Sequence, residues 1–113
     1  MNNWVIRFYT NSRGDELVQD FIRQQDKPTY AKTIRLLGLI AKNGPNLGMP
    51  YSRYMQDGLY ELRIRGKNEV RIFYVFQTEM TVFLLHAFKK RSQKTPYKEL
   101  EIAINRKKEL TII

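Results

Sequence analysis

From Leu59 onward the apolar residues of this chain fall at every second position, and that spacing admits few architectures. In "LYELRIR", Tyr60, Leu62 and Ile64 share one face while Glu61, Arg63 and Arg65 share the other. In "EVRIFYVF", Val70, Ile72, Tyr74 and Phe76 stand opposite Arg71, Phe73 and Val75. "MTVFLLHAF" is apolar on both faces, the pattern of a more central or better covered strand. Joined at "GKN" and near "TE", the segments predict three consecutive antiparallel strands.

Side-chain parity discriminates between turn lengths, because a slip of one residue moves every side chain to the opposite face. A two-residue Gly66-Lys67 loop would bring Arg63 onto the face of Val70. A three-residue loop instead pairs Arg65 with Glu69 and Arg63 with Arg71, and is the better fit. At the next turn, a two-residue Thr78-Glu79 loop carries the register to Arg71 opposite His86, whereas a three-residue loop sets Ala87 there. With the shorter loop, Arg63, Arg71 and His86 lie side by side on the face away from the apolar set. Like charges directly opposed in a sheet are destabilising. Such a row calls either for a carboxylate, of which Glu61 is the nearest, or for an anionic ligand.

Upstream, "WVIRFY" from Trp4 to Tyr9 reads as a strand ending at the turn-forming "TNSRGD". Ser12 is expected to cap a short helix running to near Gln25, with Asp15 three residues on and Leu17, Val18, Phe21 and Ile22 on its apolar face. Asp26 and Pro28 start a second helix, whose predicted stripe is Tyr30, Ile34, Leu37, Ile40 and Ala41, and "NGPNLGMP" stops it. The two form a helical hairpin. After Pro96, "YKELEIAINRKKEL" carries Leu100, Ala103 and Ile104 on one stripe and reads as a closing helix. The expected class is α+β in the order β-α-α-β-β-β-α. The chain of 113 residues is expected to form a single domain over 1–113.

Twenty Lys and Arg against eleven Asp and Glu leave a net charge of +9, which draws polyanions to so small a surface and makes nucleic acid the leading partner class. An acidic protein partner, or solubility alone, are the competing explanations. No acidic residue occurs between Glu79 and Glu99, and that interval and its edge hold Lys89, Lys90, Arg91, Lys94 and Lys98. Without cysteine, disulfides and thiol catalysis are excluded. With one histidine and no ligand spacing, no metal or other cofactor is expected. No apolar run approaches the ~20 residues of a membrane span, and the amino terminus lacks a signal-peptide plan, so a cytoplasmic protein with no membrane association is expected. Taken singly, Arg63 and Arg71 read either as ion-paired residues on a solvated face or as anion contacts. His86 reads as a packed, hydrogen-bonded side chain or as a general acid or base, being the only side chain whose ordinary pKa lies near neutrality.

The stretches "GLYELRI", "EVRIFYVF" and "LLHAFKKRSQKTP", followed by a helix beginning "YKELEIAINR", resemble the RelE/ParE toxin superfamily, in particular its HigB-like, phage-associated branch. The resemblance runs along the whole chain, with its specificity in residues 58 to 106. It implies a RelE-like fold, the helical hairpin packed on an antiparallel sheet with a C-terminal helix. It also implies a type II toxin–antitoxin toxin: a metal-independent, ribosome-dependent mRNA endoribonuclease that blocks translation. In that scheme the RNA's 2′-hydroxyl attacks the scissile phosphate, and the enzyme supplies a proton acceptor, a proton donor and cations.

By the same resemblance, Arg63 and Arg71 match strand arginines that clamp the phosphate. Lys90, with Lys89 beside it, matches the basic segment after the last strand, which serves the same task or grips ribosomal RNA. Tyr97 falls where RelE-like members carry a tyrosine that contacts substrate or transfers a proton, and His86 is the candidate base or acid. Arg65, Lys89, Arg91 and Lys94 are expected on the RNA backbone. The implied partners are mRNA, the ribosome and a cognate helix-turn-helix, HigA-like antitoxin. The alternative is a ParE-like toxin that binds and inhibits DNA gyrase and cuts nothing. No helix-turn-helix signature appears in this chain to suggest a DNA-reading regulator.

Overall fold

The structure, a computed structural model, describes residues 3–110. Its elements are β1 (Val5–Phe8), α1 (Leu17–Arg23), α2 (Lys27–Asn43), β2 (Ser52–Gln56), β3 (Leu59–Ile64), β4 (Val70–Gln77), β5 (Thr81–Lys89) and α3 (Tyr97–Leu110), with one 3-10 turn at Gly44–Asn46. The five strands form one sheet in the order β1-β5-β4-β3-β2, with β1 parallel to β5 and all other pairs antiparallel. This α+β architecture is compatible with a RelE-like fold.

The chain differs from the expected order by one strand, β2, which pairs with β3 on the sheet's edge. Its sequence, SRYMQ, does not alternate, because an edge strand exposed on much of its surface has no need to. Asp57 and Gly58 close the turn to β3 with φ of 52° and 80°. Positive φ at both central residues is what a two-residue hairpin turn of matching twist requires.

The register of β3 on β4 is the expected one, with Arg63 opposite Arg71. That of β4 on β5 is not. The connection is the longer one, pairing Gln77 with Thr81, and a bulge between Phe73 and Tyr74 shifts the strands by one further residue. His86 therefore stands opposite Phe73, and Phe88 opposite Arg71. Glu79 and Met80 turn at φ of 57° and 53°, a backbone choice that composition at "TEM" does not advertise.

Both faces of the sheet are covered. Helices α1 and α2 pack on β5, β3 and β1, while α3 packs on β5 and β4 from the other side. Strand β5 is an interior strand, second in the sheet with β4 at its centre, and is apolar on both faces because helices cover it on both. The charged face of β3 and β4 is correspondingly not a wholly solvated one: Glu61, Arg71, Phe73 and Val75 are all buried.

Asp26 caps α2 by accepting from the Thr29 amide at 2.9 Å, with Pro28 in the first turn. The buried stripe of α2 is Thr29, Thr33, Leu36, Leu37 and Ile40, whereas Tyr30 and Ile34 are exposed. Leu37 and Ile40 are buried as expected, while the first half of the buried face falls on Thr29 and Thr33; Thr33 tolerates burial because its hydroxyl donates to the Thr29 carbonyl at 2.8 Å. Helix α1 starts later than expected and Ser12 does not cap it; Asn11 instead accepts from the Arg13 and Asp15 amides at 3.0 and 2.8 Å. On the hairpin side of the sheet, Tyr74 and Ser52 share a hydroxyl hydrogen bond, and burial pushes the Tyr74 phenol up to about 12. No helix among the described residues is long and apolar enough to cross a membrane.

Candidate functional site

At the end of the β3–β4 hairpin a cleft of about 530 Å³ opens, lined by Arg63, Arg65, Glu69, Arg71, Lys90, Arg91, Ser92 and Gln93. Two walls meet there. The first is the sheet, which places Arg63 and Arg71 directly opposite on adjacent strands. The second is the segment that leaves β5, held against the hairpin by the Lys90 amide donating to the Glu69 carbonyl at 2.7 Å. Thr95 pins the far end of that segment, its hydroxyl donating to Glu61 Oε2 at 2.7 Å.

Glu61 is the carboxylate beneath the arginines. It is fully buried, with Oε1 3.6 Å from Arg63 Nε and 3.7 Å from Arg53 Nη2. A buried carboxylate is costly unless compensated, and two guanidiniums and a hydroxyl supply the compensation. Glu61 Oε1, Arg63 Nε and Arg71 Nε make no hydrogen bond despite this proximity. The arrangement therefore neutralises charge across the floor without exhausting its donors.

Arg71 forms that floor and is only 2% exposed. Its Nη2 donates to Glu69 Oε1 at 3.1 Å and its Nη1 to the Val70 carbonyl at 3.1 Å. Glu69 also accepts from the Gly66 amide at 3.0 Å. That amide bond, more than the neighbouring Arg71, holds the Glu69 carboxyl below the usual carboxylate range, against some desolvation. Desolvation pushes the Lys90 ammonium below its ordinary value, and the charges of Arg71 and Arg63 push the same way. Arg63 is lowered too, first by burial and then by Arg65. Five cations around one carboxylate make the cleft a trap for anions.

The fold thus brings together Arg63, Arg65, Arg71, Lys90 and Arg91. It does not bring His86 to them. That ring sits against α3, its Nε2 2.7 Å from Glu99 Oε1, stacked on Phe88 at 5.6 Å between centroids. Arg106 Nη1 lies 3.5 Å from Nδ1 and donates to the Leu85 carbonyl at 2.8 Å. A guanidinium only donates, so the contact suits an imidazole that accepts at Nδ1 and donates from Nε2 to Glu99. Burial and Arg106 lower the His86 pKa, more than the Glu99 hydrogen bond raises it.

Lys89 is exposed and borders a second depression with Arg91, Ser92 and Glu99 rather than the cleft. Lys94 is exposed on the connecting segment, and Tyr97 is exposed at the start of α3; neither lines the cleft. Sequence reasoning passed over Glu69, Thr95 and Arg53 as parts of the site. Only Glu69 had a local signal, its place opposite Arg65 at the hairpin. Among the described residues no three His, Asp or Glu side chains gather as a metal-holding group.

The family model described as phage derived protein Gp49-like (DUF891) matches residues 20–108. No curated protein matches the chain. The chain belongs to the Gp49-like family, which lies within the RelE/HigB-like toxin superfamily.

Proposed function

We propose that this phage-derived Gp49-like chain, the toxin of a toxin–antitoxin pair, cuts messenger RNA on the ribosome without a metal. The observation that carries this reading is the convergence of Arg63, Arg65, Lys90 and Arg91 around Arg71 at one cleft. In the reaction the 2′-oxygen loses its proton and bonds to phosphorus, the bond to the 5′-oxygen breaks, and that oxygen takes up a proton. The products are a 2′,3′-cyclic phosphate and a 5′-hydroxyl. Charge builds on the phosphorane oxygens during the attack, so fixed cations stabilise the transition state more than the ground state.

Arg63 and Arg65 offer planar forks suited to two phosphate oxygens. Arg71 acts from beneath, holding Glu69 and the field of the floor. Lys90, lowered by desolvation and by Arg71, is the candidate proton donor of the cleft. Arg91, Lys89 and Lys94 extend the basic surface along the RNA backbone, and Tyr97 stands at its α3 side. His86 is committed to Glu99 and serves to dock α3. The family implies an antitoxin partner; an acidic, helix-turn-helix antitoxin surface over the cleft would satisfy its charge.

One observation favours the second reading, a ParE-like gyrase binder: the imidazole and the Tyr97 phenol stand outside the cation cleft. Induced expression of the chain beside Arg63→Ala, Lys90→Ala and His86→Gln, with messenger ends mapped in growing cells, separates the two. Cuts inside translated regions are expected, lost with Arg63→Ala and Lys90→Ala and kept with His86→Gln. Growth arrest with intact messages and altered DNA supercoiling would establish the gyrase reading instead.

A further inference from the structure

The row of residues that crosses the sheet at Arg63 does not end in charge. The Arg63 amide donates to the Tyr51 carbonyl at 2.8 Å, continuing the β2–β3 register in which Arg53 pairs with Glu61. Directly opposed residues of antiparallel strands project to the same face, so Tyr51 shares the face of Arg63 and Arg71. Met49 completes the edge, its Sδ 3.8 Å from Arg63 Nη1. Met49 is 58% and Tyr51 36% exposed. An aromatic ring and a thioether therefore stand in solvent beside a guanidinium that lines an anion cleft.

We infer that Tyr51, backed by Met49, is a base-stacking subsite that receives one unpaired nucleobase of a single-stranded RNA whose phosphate lies in the Arg63 cleft. The inference rests on the RNA reading of that cleft and adds to it the recognition of a base. Charge decides the occupant: the patch adjoins five cations and one carboxylate, an environment that brings a polyanion and not an apolar peptide. Single-stranded nucleic acid is gripped elsewhere by this same combination, a basic track for the backbone and a ring for each base. Such stacking tolerates any base, because every base has a π-face. The subsite thus adds affinity and register without dictating sequence.

The test uses the purified full chain and two short RNA oligomers of equal length, one carrying a 2-aminopurine at a single position, the other abasic there. Wild type is expected to quench 2-aminopurine fluorescence and to bind the base-bearing strand about tenfold tighter than the abasic one. Tyr51→Ala should lose both the quenching and that preference while keeping its affinity for the abasic strand. Tyr51→Phe should retain all three. If wild type binds both strands with equal affinity, or Tyr51→Ala still quenches, there is no stacking subsite and the cleft reads backbone alone. If Tyr51→Ala also loses the abasic strand, the ring serves the fold and the inference fails. Binding of neither strand by wild type would mean that the cleft and Tyr51 hold no RNA off the ribosome, and the inference fails; the cleavage reading is decided separately, by the messenger ends mapped in growing cells.

Discussion

Thr95 donates its hydroxyl to the fully buried carboxylate of Glu61 at 2.7 Å, and this single bond ties the basic segment after β5 to strand β3. The two residues are 34 positions apart. Without the tie, the wall carrying Lys90 and Arg91 is anchored chiefly by the Lys90 amide on Glu69.

Thr95→Val keeps the shape and removes the donor, leaving a buried carboxylate oxygen short of a partner. Stability should fall by about 1–3 kcal/mol, and affinity for single-stranded RNA should fall with it. Glu61→Ala should cost more, about 3 kcal/mol, because Arg63 then loses its buried counter-charge. Urea unfolding of the three proteins reads both losses. Equal stability of Glu61→Ala and wild type would mean that the carboxylate does not hold the arginines.

Binding of single-stranded RNA should be strongly salt dependent, since each phosphate contact releases counterions. Arg65→Ala and Arg91→Ala should each flatten the plot of log affinity against log salt by about 0.7 of a unit. A titration series in rising potassium chloride measures the slope. An unchanged slope in both variants would place the backbone elsewhere.

His86 is lowered by burial and by Arg106, so the folded protein holds the ring neutral where the unfolded chain, near its ordinary 6.5, has begun to take a proton. Its contribution is therefore fully present above that value and is lost as pH falls through it toward the lower folded value. The urea midpoint of wild type should drop between about pH 7 and about pH 5 by more than that of His86→Gln. Parallel curves for the two proteins would show that the imidazole is not a determinant.

Gly44 follows α2 with φ 55° and ψ −137°, and a Cβ there would run into the indole of Trp4. Gly44→Ala combines a backbone penalty with a steric one and should cost about 2–4 kcal/mol. Trp4 is the only tryptophan, packed edge-on against Phe76 at 4.9 Å between centroids, so the emission spectrum should report its displacement. Wild-type emission and stability in Gly44→Ala would show that the α2 exit adapts freely.

The Arg63–Arg71 pairing was legible because it depends on one hairpin, whose loop length and alternating pattern leave a single consistent parity. Glu61 was legible as the compensating carboxylate for the same reason, lying two residues from Arg63 on the same face. The β2 strand was not read, although Asp57-Gly58 just before the β3 segment is a hairpin signal, because SRYMQ lacks the alternation that a half-buried strand needs. The register of β5 failed at two backbone choices, the longer turn and the bulge, and neither is encoded by apolar spacing.

By itself the sequence determined the type of every element except β2, the coverage of β5 on both faces and the concentration of cations near two adjacent strands, since these follow from local periodicity and composition. Only the tertiary structure decided which of those cations share a cleft. Thr95 reaching Glu61, Glu69 holding Arg71, and α3 claiming His86 through Glu99 and Arg106 all depend on how sheet, loop and helix pack. A hydrogen bond between residues distant in the chain leaves no periodic trace, because its geometry exists only after the core has set the elements in place.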